Sequence, residues 1–359
     1  MYRTLFANLV SDKDINSSGV YIRLQVIVKM CNNRKKNMLN IINMPLVNSI
    51  IDDYGADGGL KEYCKKNNID GIEAIWGYED QVAEDNLDMI QGWHLTFYCD
   101  CLDFWKQDEE ALLTKFGSRE AWESFYMCKD REGFLKMFAD DLERAHRAKA
   151  KYVVFHVSDV SIEEGYTYEW LHSDEEVIDA AAEIINLLLD GKEYEFDFLV
   201  ENLHWAGFTM AKPELTKRLL KQIHYPKKGI MLDTGHLMCT NLELKNEEEA
   251  IDYVLDCIKA HGDLASYIQG MHFHQSVTGQ FVKENTGALP ELPKDYFERF
   301  GFAYGHILQI DTHKPYTNYR AQEIVDLVKP KYLVHELASS SKSEKHEVTM
   351  KQMQTLGML

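Results

Sequence analysis

The chain is short of positive charge. It carries 39 lysines and arginines against 58 aspartates and glutamates, for a formal net charge of −19. So acidic a chain is a poor general attractor for nucleic acid or for an anionic membrane. No basic stripe offsets the deficit. Residues 212–228 are the densest stretch, and Lys217, Arg218 and Lys221 read there as one exposed helix face. Long apolar runs are missing as well. Val20–Val28 is interrupted by Arg23 and Gln25, and no small-residue cleavage site follows it, which argues against a membrane span or signal peptide. Neither G-x-G-x-x-G nor G-x-x-x-x-G-K occurs, so no nucleotide cofactor is expected.

Seven cysteines are scattered at 31, 64, 99, 101, 128, 239 and 257. The number is odd and the spacing resembles no disulfide framework. Reduced thiols in a cytoplasmic compartment are expected. Cys99, Cys101 and Cys128 lack paired C-x-x-C spacing and read as incidental thiols. With 45% hydrophobic and 27% charged residues, the composition is globular. It excludes disorder, collagen and coiled coil as the main state.

The first 37 residues differ from the rest. They hold seven basic residues and two acidic ones, a net +5, which leaves −24 for the remainder. The folded unit is expected to start near Met38, with 1–37 an N-terminal extension outside the fold or a basic targeting arm, and 38–359 a single domain.

From Met38 onward, apolar runs of strand length alternate with helical patterns. Strands are expected at Leu39–Met44, closed by Pro45, and at Gly71–Trp76, Trp93–Tyr98, Tyr152–Val157, Phe196–Leu203, Gly229–Asp233, Ile268–His274 and Tyr332–Glu336. Helices fall between them, the clearest at Phe134–Lys149, Glu175–Leu189, Pro213–Ile223, Glu247–Ala260 and near Asn318–Val328. Eight strand–helix units over roughly 320 residues predict an α/β fold, a (β/α)8 barrel, rather than a doubly wound sheet. The connections after strands three and seven are long and rich in aromatics, including Phe97, Tyr98, Phe104, Trp105, Phe125, Tyr296, Phe300 and Tyr304. They read as a roof over a pocket on the catalytic face, or as a subunit interface in a homo-oligomer.

In such a barrel the chemistry sits at the C-terminal ends of the strands. Those ends are loaded with metal-type residues. Strand three carries His94, strand four ends at His156, and strand five carries Glu201. Strand six runs into Asp233 and His236, and strand seven gives His272 and His274. Asp311 and His313 follow, and strand eight ends at Glu336. Carboxylates among valines, isoleucines and leucines are prohibitive without compensation, and a bound cation removes the penalty. Mixed histidine and carboxylate donors suit Mn, Co or Zn. His335 and Glu336 point to opposite faces of a strand, with Glu336 expected inward. His204, His224, His261, His306 and His335 read as ordinary packing residues. Glu73 and Trp76 on strand two, with His236 and His274, are expected to contact substrate.

Three phrases, FLVEN at 198–202, GIMLDTGHLM at 229–238 and YIQGMHFH at 267–274, resemble the xylose-isomerase-like TIM barrels, a superfamily that includes sugar isomerases and epimerases and the family 2 AP endonucleases. The resemblance runs from about Met38 to Glu336. It implies that Glu201, Asp233, His272 and Glu336 hold one divalent metal, as in the epimerases. It also implies, as in the three-zinc site of endonuclease IV, that His94, His156, His236, Asp311 and His313 are further ligands. The sequence departs from the endonuclease after strand seven. There the stretch to Asp311 is much longer, and His274-Gln275 replaces an Asn-Asp pair.

Two chemistries fit these residues. The first expectation is a sugar or sugar-phosphate isomerase or epimerase. In it Glu201 and Glu336 are catalytic and flank the reacting carbon, and a proton is transferred through a metal-stabilised enediolate. The alternative is a multi-metal zinc phosphoester hydrolase resembling endonuclease IV. The acidity of residues 38–359 favours a small carbohydrate-like substrate over nucleic acid.

Overall fold

The computed structural model describes residues 38–359. The reading of 1–37 as an extension lies outside the described residues. Eight strands form the wall of a closed barrel: β1 (Leu39–Leu46), β2 (Gly71–Trp76), β3 (Ile90–His94), β4 (Tyr152–His156), β5 (Asp197–Glu201), β6 (Lys228–Asp233), β7 (Ile268–His272) and β8 (Tyr332–His335). Each strand lies next to its predecessor, and β8 closes on β1. Neighbours pair in parallel wherever the register is defined. The main helices are α1 (Leu60–Lys66), α2 (Asp80–Asp85), α3 (Arg131–Arg147), α4 (Asp174–Leu189), α5 (Pro213–Gln222), α6 (Glu247–Ala260), α7 (Gln322–Val328) and α8 (Lys342–Thr355). This is the (β/α)8 TIM barrel expected from the alternation.

Local chemistry sets these elements. The β5 run Phe198-Leu199-Val200 is wholly buried, as strands covered on both faces must be. α4 opens with a capping box in which Ser173 and Glu176 satisfy each other's backbone N–H. Its inner stripe of Val177, Ile178, Ala181, Ile184, Ile185 and Leu188 is buried. Gly92 in β3 leaves space for Tyr152, because a Cβ there would lie 2.0 Å from the tyrosine ring.

Several boundaries differ from expectation. β3 ends at His94 because the chain turns away. Thr96 donates its backbone N–H (2.8 Å) and its hydroxyl (3.1 Å) to the Asp141 carboxylate of α3. β7 ends at His272, since the His274 N–H turns toward the Thr234 hydroxyl at 3.3 Å. β1 runs through Pro45 to Leu46, with the proline one residue from the strand end, where a missing N–H costs the ladder least.

The long connections are not structureless. The one after β3 contains helices Leu102–Lys106, Glu109–Phe116 and Arg119–Tyr126. The one after β7 contains Gly279–Asn285 and Tyr296–Ile310. The two meet through aromatic pairs, Phe116–Tyr296 at 4.2 Å and Phe125–Phe300 at 5.5 Å between ring centroids. Beneath them the buried Lys115 ammonium pairs with Asp100 at 2.7 Å and Asp103 at 2.6 Å. Among the described residues no helix is long and apolar enough to cross a membrane. Cys64, Cys99, Cys101, Cys128, Cys239 and Cys257 are free thiols.

Candidate metal centre

The barrel register brings the strand-end residues together. His156 is the lateral partner of Glu201, and Asp233 is the partner of His272. Paired positions on adjacent strands share a face, so both pairs point into the barrel mouth. Four overlapping donor sets result: His94, His156 and Glu201; Glu201, Asp233, His272 and Glu336; His236, Asp311 and His313; and His274, His313 and Glu336. No cysteine belongs to any of them.

Backbone carbonyls decide which ring nitrogens face the centre. The Nδ1–H of His94 donates to the Leu95 carbonyl (2.9 Å), that of His236 to Asn202 (2.9 Å) and that of His313 to Glu336 (3.1 Å). In each ring this leaves Nε2 as a lone pair. Those lone pairs meet carboxylate oxygens. His94 Nε2 lies 3.3 Å from Glu201 Oε2, and His236 and His313 Nε2 lie 2.9 and 2.6 Å from Asp311 Oδ2. His156 Nε2 lies 2.9 Å from Glu201 Oε2.

Acceptors facing acceptors need a positive charge between them, a proton or a metal cation. The titration of the site expresses the same demand. Burial alone would lower the histidines, but Glu201 outweighs it and holds His94 at about 9. Asp311 does the same for His313, also at about 9. His236 and His272 are raised well above the usual histidine range by their carboxylates despite burial. Burial would raise Glu201 and Asp311, but their histidines pull both well below the usual carboxylate range. His156 goes the other way: burial lowers it more than Glu201 restores. The donor chemistry therefore fits divalent cations, with imidazole and carboxylate suiting Zn, Mn or Co.

A second layer holds the ligands. Glu73, expected to touch substrate, is instead fully buried behind His272. It accepts from His272 Nε2 at 3.1 Å and from the Tyr152 hydroxyl at 2.9 Å. That fixes His272 Nδ1 toward Glu201 and Glu336, each at 2.9 Å. His274, the other expected substrate contact, places Nε2 2.8 Å from Asp233 Oδ2 and stacks on His313 at 3.9 Å. Gly235 makes this possible, since a Cβ there would lie 2.1 Å from the His274 ring. The other Asp233 oxygen accepts the His236 N–H at 2.6 Å.

Trp76 stands apart from the cluster. It follows the inward-facing Ile75 in strand alternation, and its ring lies under the Arg144 guanidinium at 3.5 Å and against Tyr78 at 4.4 Å. His335 is on the outer side of its strand, bonded to Asn40 and Gln352. His204, read as an ordinary residue, lies beside the centre. Its ring is 5.9 Å from His236, both its nitrogens are buried without partners, and burial pushes its pKa down to about 3. Its place after Glu201-Asn202-Leu203 was the only sequence signal for it.

Residues 128–301 match a family model described as xylose isomerase-like TIM barrel. Among solved structures the chain is similar to a D-tagatose 3-epimerase-like protein, with 14% identity, 89% of this chain and 98% of that one covered, and a TM-score of 0.51. It also matches endonuclease IV from Thermus thermophilus (14% identity, 89% and 100% covered, TM-score 0.48) and the IOLI protein with a binding zinc atom (14% identity, 89% and 95% covered, TM-score 0.49). At this identity the likeness is one of fold. No curated protein matches the chain.

Proposed function

We propose that the chain is a multi-metal hydrolase acting on a phosphoester. The observation that carries this reading is the convergence of three donor sets, two sharing Glu201 and one built on Asp311. A single-metal site leaves His94, His156, Asp311 and His313 without a task. Here the three histidines aim Nε2 at Glu201 or Asp311, and Asp311 faces both His236 and His313.

His94, His156 and Glu201 would hold one ion. Glu201, Asp233, His272 and Glu336 would hold a second, and His236, Asp311 and His313 a third. Divalent ions supply Lewis acidity toward an ester oxygen and acidify water at neutral pH. The residues do the rest. Glu201 Oε1 and Oε2 serve two neighbouring sets at once. The Tyr152–Glu73 pair holds the His272 ring in one tautomer. Asp233 ties His236 to His274 through its two oxygens, and the helices after β3 and β7 exclude bulk water.

A second reading, the isomerase expected first from the sequence, rests on one observation. Glu201 Oε1 and Glu336 Oε2 each lie 2.9 Å from His272 Nδ1, Glu201 ending β5 and Glu336 directly following β8. Placed either side of a hydroxy-carbonyl carbon, one would take a C–H proton and the other return it. We place the protein in the cytoplasm on the strength of its free thiols.

The test is turnover by protein reconstituted with zinc or manganese. Bis(4-nitrophenyl) phosphate hydrolysis that is lost in Asp311→Ala and in His156→Ala is the expected result. Epimerisation of a ketohexose that survives both substitutions would overturn the hydrolase reading in favour of the isomerase.

A further inference from the structure

A cavity of about 410 Å³ opens directly from the donor cluster, within the range of roughly 300–1,000 Å³ typical of small-molecule sites. Its floor includes His156, Glu201, His236, Asp311, His313 and Glu336. Its far side is a different material. Tyr296, Phe300, Ala303 and Ile307 line it from the helix Tyr296–Ile310. Their spacing of four, three and four residues is one helical face. The same helix ends with Asp311 as its C-cap, so one element supplies both the apolar wall and a carboxylate of the metal floor. Leu203 and Trp205, just beyond Glu201, complete the wall.

The lining contains no lysine and no arginine. Asp100, its one acid outside the donor sets, is already paired with Lys115 at 2.7 Å. A phosphate or carboxylate in the outer half of the cavity would have no counter-charge, and burying one unpaired is prohibitive. A free sugar fits little better. The cavity's polar groups beyond the donor cluster are few, chiefly the unpartnered Trp205 indole N–H, the Ser161 hydroxyl and the Tyr296 and Tyr304 phenols, so a body covered in hydroxyls would leave several facing carbon, and each buried hydroxyl left unbonded costs free energy.

We propose that the substrate is a small molecule with two distinct ends. An oxygen-rich head that metal ions can chelate meets the donor cluster, and an uncharged apolar or aromatic body fills the chamber under the helix Tyr296–Ile310. The inference rests on the metal-centre reading and narrows its substrate class. It places a polynucleotide, and any substrate whose body carries a charge, outside that class.

Hydroxamates test it, because the chelating head stays constant while the body changes. Zinc-reconstituted protein is titrated calorimetrically with acetohydroxamate, benzohydroxamate and 4-carboxybenzohydroxamate. Benzohydroxamate is expected to bind at least about tenfold more tightly than acetohydroxamate. The 4-carboxy compound is expected to lose that gain. In Phe300→Ala and in Ile307→Asp, both in partly exposed positions that tolerate change, the ratio of benzohydroxamate to acetohydroxamate affinity is expected to fall below about threefold. Equal binding of the first two compounds, or undiminished binding of the 4-carboxy compound, would overturn the apolar chamber and leave the metal centre standing. Binding of none of them would overturn both.

Discussion

Asp311 Oδ2 lies 2.9 Å from His236 Nε2, although 75 residues separate the two in the chain. The pairing joins the short helix Thr234–Cys239, directly after β6, to the end of a helix that the sequence pattern did not reveal. It completes a donor set with His313 despite the long stretch between His272 and Asp311, the place where the chain departs most from the endonuclease pattern. Asp311→Ala should remove one metal ion per chain and, with it, phosphoester turnover. Glu201→Gln, which strikes two sets at once, should abolish turnover. Elemental analysis and steady-state rates on the same preparations check both. An Asp311→Ala protein with unchanged metal content and rate would remove the third set from the mechanism.

Glu73 bonds His272 Nε2 and is absent from the cavity lining, and we propose that it acts through His272. Glu73→Gln should weaken metal binding by about 10- to 100-fold, because the His272 tautomer and ring orientation are no longer enforced. Competition with a chromogenic chelator measures this. Rates at saturating metal should recover most of the loss. A variant that binds metal normally but fails to turn over would instead make Glu73 a substrate contact, as the sequence suggested.

Metal affinity should rise with pH. The carboxylates hold protons on His94 and His313 up to about 9. At neutral pH those protons must leave before the rings can ligate. Affinity should therefore climb between pH 6 and 9, and metal addition in weakly buffered solution should release protons. Titrations at pH 6, 7 and 8 that give one common affinity would contradict this assignment.

His335 should give a pH signal of the same direction, but on stability. Gln352 Nε2 donates to its Nδ1 at 2.8 Å, and its Nε2–H donates to Asn40 Oδ1 at 2.7 Å. The Gln352 amide is itself held by the Phe273 carbonyl and the Tyr316 N–H, so it cannot flip to accept. No place remains for a second proton, and burial pushes the His335 pKa down to about 3. The unfolded chain takes up that proton near pH 6.5 and the folded chain does not. Stability should fall as pH drops below about 6.5, by about 1.4 kcal/mol per unit from this residue alone. Denaturant melts of wild type and His335→Gln from pH 7 to 4 should show a shallower slope in the variant. Equal slopes would contradict the account.

The barrel and most of the donor residues were legible in the sequence, for a physical reason. Strand-length apolar runs such as Phe198–Val200 and Gly229–Leu232 end abruptly in carboxylates, and such interruptions stand out. Other features were not legible. Glu73 sits on the same inward stripe as any substrate contact, and only the positions of Tyr152 and His272 show that it faces away from the cavity. The carbonyls that orient His94, His236 and His313 belong to backbone whose direction no side-chain pattern encodes. The helix Tyr296–Ile310 exposes Phe297, Phe302, Tyr304 and Leu308, so its apolar residues surround the axis and its period is blurred. His204 is one histidine after a strand end, and nothing in its neighbours separates a packed ring from an unpartnered one beside the donor cluster.

The most direct test is metal stoichiometry. Protein purified without chelator, or reconstituted with zinc and dialysed, is measured by elemental analysis against protein concentration. Two or three tightly held ions per chain are expected, falling by one in Asp311→Ala. A single readily exchanged ion, or none, would contradict the multi-metal centre.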